Sequence, residues 1–102
     1  MKTIVKMIEQ INEELEDAEK YIKCAMNYKD EHPHLANIYY ELSVAEMGHF
    51  EKLHSAVSTL INEEKNKGNE PTNEMMIIYN YEHGKYVKEA TEIRIMQEMF
   101  RH

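Results

Sequence analysis

Glu46-Met47-Gly48-His49 sets a carboxylate and an imidazole three residues apart in the middle of a helix-forming stretch. Three helical residues advance a side chain by about 300°, so both groups leave one side of the helix a turn apart. Both are metal donors and can reach one ion. In carboxylate-bridged two-metal sites such a Glu bridges the ions while the His binds one of them. Glu14, earlier in the chain, also interrupts an apolar row and offers a terminal carboxylate from across a bundle. Glu13 and Asp17 are alternative ligands if that first helix is rotated slightly.

A Glu-x-x-His pair arises readily in a Glu-rich helix, and its simplest reading is a surface pair. The apolar setting makes it worth more. A carboxylate at a core position is costly unless it is paired, hydrogen bonded or bound to a cation. Most other charges, such as Glu9, Glu16, Lys20, Glu51, Lys52, Glu63, Lys88 and Glu92, fall off the apolar rows and need only water.

A di-metal carboxylate site of this type takes four Glu and two His, with two Glu-x-x-His motifs. One chain offers Glu14, Glu46 and His49, half of that set. A two-fold axis through the site, the commonest symmetry of oligomers, would complete it. The expectation is a metal site on a homodimer interface, or within a higher homo-oligomer.

These residues must be positioned by helices. The chain has 102 residues, room for one domain, and is rich in Glu, Lys, Met, Ile and Ala with three Gly and two Pro. Polar stretches with helix breakers occur at Lys29–His34 and Asn66–Asn73, so helices are expected over about 2–30, 33–67 and 72–101. Pro33 suits a first helical turn. Gly68 suits a helix end, with Pro71 blocking continuation.

Apolar residues recur at threes and fours in each segment. The first row is Ile4, Ile8, Ile11, Leu15, Ala18, Ile22 and Ala25, with Met7, Glu14, Tyr21 and Tyr28 on its flank. The second is Leu35, Tyr39, Leu42, Glu46, His49, Leu53, Ala56 and Leu60. The third is Met76, Tyr79, His83, Tyr86, Ala90, Ile93, Gln97 and Phe100. Rods of roughly 40–50 Å follow. Gly84, inside the third, permits either a close helix approach or a bend.

At this point the chain resembles the ferritin-like superfamily, in particular its half-length members. Glu14 with Tyr21 seven residues on is similar to the first-helix Glu and Tyr of ferritins and rubrerythrins. Leu42 to Leu53 is similar to their second helix, and the match covers about residues 5–62. Encapsulated ferritins are similarly short and pair to rebuild a four-helix core around one di-iron site. The resemblance implies Glu14, Glu46 and His49 as ligands, Tyr21 beside the metal, and ferroxidase or O2/peroxide chemistry. Iron is the implied metal, with zinc, calcium or manganese as alternatives. The chain departs from that group in ending at Met99-Phe100-Arg101-His102 without a shell-docking peptide, so an encapsulin partner is not expected.

Among the remaining residues, Tyr21 either hydrogen bonds a metal-bound carboxylate or packs at the bundle edge. His83 reads as an interior histidine, and as the best third-helix candidate for contact with the site. His54, off the Glu46/His49 row, reads as exposed, as do His32 and His34 beside Pro33. The methionines read as core filler. Cys24, the single cysteine, reads as a small buried residue with no disulfide partner in the chain.

A net charge of −7, with 19 acidic against 12 basic residues and no basic cluster, opposes nucleic-acid binding. No apolar run is long enough to span a membrane, and the N-terminal residues do not read as a signal peptide, so a cytoplasmic location is expected. The expected architecture is all-α: a long antiparallel hairpin plus a third long helix, with a ferritin-like four-helix core completed by homodimerisation. The rival expectation is a helical scaffold whose Glu and His form a buried polar network that fixes pairing register.

Overall fold

The computed structural model describes residues 2–68 and 72–102, which form three α-helices: α1, Lys2–Tyr28; α2, Pro33–Asn66; and α3, Asn73–Arg101. No strand occurs among the described residues. The helix ends follow the local chemistry. Pro33 opens α2, and the His32 N–H still donates to Tyr28 O at 2.8 Å. Gly68, with φ +79°, takes the left-handed conformation just past α2, where a side chain would be strained. The Thr72 hydroxyl accepts from Met75 N at 3.2 Å and caps α3. Pro71, the expected block to helix continuation, lies outside the described residues.

The spine is α1. All seven positions of its predicted row are buried, and α2 and α3 each touch α1 more than they touch one another. The predicted α3 row faces the same core: Tyr86, Ala90, Ile93 and Phe100 are buried, while Met76, Tyr79, His83 and Gln97 are half-buried.

The predicted α2 row is corrected by one residue. The core face of α2 is Ala36, Ser43, Met47, Phe50, Val57 and Ile61. Leu35 and Leu42 are 37% and 41% exposed, and Glu46 and His49 lie beside the core rather than in it. The reason is the small residues. Ala36 and Ser43 are fully buried, as are Ala18 and Ala25 of α1, so the two helices meet where their side chains are shortest. Turning Leu35 and Leu42 inward would hold them apart.

One buried polar node crosses all three helices. Ser43 Oγ donates to Ala18 O at 2.7 Å and accepts from Gln97 Nε2 at 2.9 Å. At the hairpin end, Lys29 Nζ donates to Phe100 O at 2.8 Å and rides over the Phe100 ring, placing a cation at the α3 C-terminus. The molecule measures 56 × 19 × 18 Å with a radius of gyration of 16.3 Å. A compact chain of this length would have about 13 Å. Such a thin rod leaves large apolar side chains uncovered along its length, among them Ile38, Leu42, Ile77, Tyr81 and Ile95. No helix of the described residues is long and apolar enough to cross a membrane.

A Cβ at Gly84 would meet nothing within 4 Å, so no helix of the chain approaches it closely, and α3 runs through it unbroken. Gly84→Ala should therefore raise stability by about 1 kcal/mol, the mid-helix cost of glycine. Ser43→Ala should lower it by about 1 kcal/mol through loss of the Ala18–Gln97 link. Urea melts of both variants, with unchanged m-values, check these figures.

Candidate metal centre

The Ser43–Ala18 contact sets the register of the antiparallel α1–α2 pair. Four residues back along α1 stands Glu14, and three and six residues on along α2 stand Glu46 and His49. Antiparallel travel brings them together. His49 Nδ1 lies 3.4 Å from Glu14 Oε2 and 3.7 Å from Glu46 Oε2, and one donor atom from each residue falls within 4.8 Å of the other two. Donors about 2.0–2.2 Å from a common ion stand roughly 3–4.4 Å apart. The group needs to close by only a few tenths of an ångström to hold one.

The two carboxylates sit back from the surface, with side chains 27% and 19% exposed, while His49 stands at the edge at 56%. Glu14 Oε2 is itself buried and has no hydrogen-bond partner, since its approach to His49 is not aligned as one. A buried carboxylate oxygen without a hydrogen-bond partner, beside two other donors, is a group that could accept a cation. Two carboxylates and one imidazole suit iron, manganese or zinc.

The other residues singled out from sequence fall elsewhere. Glu13 and Asp17 are exposed and lie outside the group. Tyr21 is half-buried with its ring 6.1 Å from that of Tyr39, and among the described residues its hydroxyl makes no hydrogen bond to either carboxylate. His83, expected as the third-helix contact to the site, meets His54 instead, Nε2 to Nε2 at 3.2 Å.

His54 is a correction as well. Expected to be exposed, it is half-buried against Phe50 and Tyr86. It belongs to the α2 core row once that row is taken one residue on, four past Phe50 and three before Val57, so the signal was present. Burial foremost, then His83 and Arg94, lowers the His54 pKa. Burial, and then the neighbouring Tyr79, raises that of Tyr86 well above the usual phenol range.

No family model, curated protein or solved structure matches the chain.

Carboxylates also crowd the α1–α3 side, where no imidazole intervenes. Burial, together with Glu19 and Glu16 of α1, raises the pKa of Glu89 above its ordinary 4.5. A carboxyl whose pKa is raised by folding binds more protons in the folded state. Its favourable contribution is complete below the unfolded value and is lost as pH climbs through the folded one. Glu89→Gln should therefore raise the melting temperature at pH 7, and the gain should shrink toward pH 4. Calorimetry of both proteins across that range provides the check.

Proposed function

We propose that this chain is a metal-binding protein of the ferritin-like kind, holding two iron ions on the axis of a homodimer through Glu14, Glu46 and His49 of each copy. The observation that carries the reading is the convergence of these three side chains around an orphaned, buried carboxylate oxygen. Glu46, Glu14 and His49 would hold the ions, Glu46 in the bridging role and the other two as terminal ligands. A bound iron pair supplies one-electron exchange with oxygen or peroxide, and oxidation of ferrous iron is the favoured reaction.

The open side of the group favours a second copy as the cover. Leu35, Ile38, Leu42, Ala45 and His49 follow one another at alternating steps of three and four, and all are exposed. This spacing is the seam of a helix pair packed near +20°, and it leads directly to the imidazole. A second chain laid along it would bury the leucines and bring its own carboxylates to the site.

The rival reading, a scaffold held in register by a polar network, has one observation in its favour. His49 Nδ1 already lies 3.4 and 3.7 Å from the two carboxylates, so the three side chains form a polar cluster by themselves. Metal analysis separates the two. After aerobic ferrous loading, the untagged protein should hold about one iron per chain, and Glu46→Ala or His49→Ala should abolish it. Equal iron in those variants supports the scaffold. Sedimentation should show a dimer, and a monomer that holds iron tightly overturns the shared site.

A further inference from the structure

We propose that His54 and His83 form a second metal site, a two-imidazole clamp between α2 and α3 that takes a borderline divalent cation of the zinc class. Their Nε2 atoms face each other at 3.2 Å from different helices. Two imidazole nitrogens bound to one tetrahedral zinc at about 2.0–2.1 Å stand about 3.3–3.4 Å apart, so the separation of the pair already matches. The site is separate from the Glu14 group. His54 follows His49 by five residues, about 140° further around α2.

The rings are held in place by their neighbours. Phe50 stacks on His54 at 5.7 Å, Tyr86 sets its edge against both imidazoles at 5.4 and 5.2 Å, and Tyr79 lies 5.6 Å from His83. Ligands fixed by packing lose little freedom when they bind. Both histidines are half-buried, so solvent reaches the pair and water can fill the remaining positions on the ion. The buried Tyr86 hydroxyl, in the same cluster, has no hydrogen-bond partner.

Without a cation, one ring donates its Nε2–H to the other. An ion lies to one side of the N–N line, about 1.2 Å off it, so each ring turns slightly to aim its Nε2 lone pair there. The donating ring carries its proton on Nδ1 instead, and two neutral imidazoles face the metal. Arg94, the nearby positive charge, is ion-paired with Glu51. Two nitrogens without a carboxylate favour zinc or copper over iron, in contrast to the oxygen-rich group on α1 and α2. Their effect would be to fasten α3 to α2 along a pair of helices that otherwise meet little.

The test titrates zinc into the full chain and follows the imidazole nitrogens by NMR. Zinc should move the Nε2 signals of His54 and His83 together and raise the melting temperature. His83→Gln and His54→Gln should each weaken this site at least tenfold, while Glu46→Ala/His49→Ala should keep it. The proposal is overturned if neither signal moves at saturating zinc, or if only His32, His34 or His102 respond. It also fails if the Gln variants bind as the parent does, or if the Glu46/His49 variant alone loses the site. The parent's own signals decide the matter even if a variant misfolds, and they do so whether or not the Glu14 group binds iron.

Discussion

The close approach of α1 and α2 at Ala18, Ala25, Ala36 and Ser43 governs the rest of the molecule. Because these side chains are short, Ser43 Oγ can reach a main-chain carbonyl of α1, and Gln97 of α3 can reach the same hydroxyl. A buried hydroxyl must be satisfied, so sliding either helix by a turn would strand it. The node thus fixes both the rotation and the register of the hairpin. Glu14 meets Glu46 and His49 as a consequence of that register, a turn or two away. The site is positioned by a contact that contains none of its ligands.

Two carboxylates and an imidazole whose donor atoms all lie within 4.8 Å of one another crowd like charges into a partly covered place. Surface carboxylates avoid the cost by turning into water. Glu14 and Glu46 are more than two-thirds covered, and one Glu14 oxygen is sealed from water altogether, so they have little such freedom. A cation between them turns repulsion into attraction. The Glu16, Glu19 and Glu89 crowd at the α1–α3 side relieves itself differently, with Glu89 holding its proton more tightly.

The three helices were legible in the sequence, because Pro33 and Gly68 act through local geometry, while the Thr72 cap went unread. The buried face of α1 was legible too, since it carries one dominant apolar row, and on α3 the predicted row supplies all four buried residues, Tyr86, Ala90, Ile93 and Phe100. On α2, two adjacent stripes compete, one lined with leucines and one with Ala36, Ser43, Met47 and Phe50. Hydrophobicity favours the first, and close packing against Ala18 and Ala25 selects the second. Periodicity weighs how apolar a row is and has no measure of how near a neighbour must come. That single ambiguity accounts for the misplaced exposure of His54, the unnoticed Ser43–Gln97 node and the overstated burial of His49. Glu14, Glu46 and His49 survived as a group because a one-residue rotation, about 100°, moves a side chain from the core to its margin without taking it off the α1-facing side.

The same rotation explains why two features of α2 lie on one side of the helix. With its small stripe turned inward, α2 must present Leu35, Ile38 and Leu42 outward, and a 56 Å rod only 19 Å wide has nothing else with which to cover them. The three-donor group lies at the end of that uncovered seam, with its imidazole on the open side. An uncovered apolar stripe and the three-donor group therefore share one face of one helix. A fold that buried the leucines would have turned His49 inward with them. By packing its small residues first, this one leaves both on a single open face.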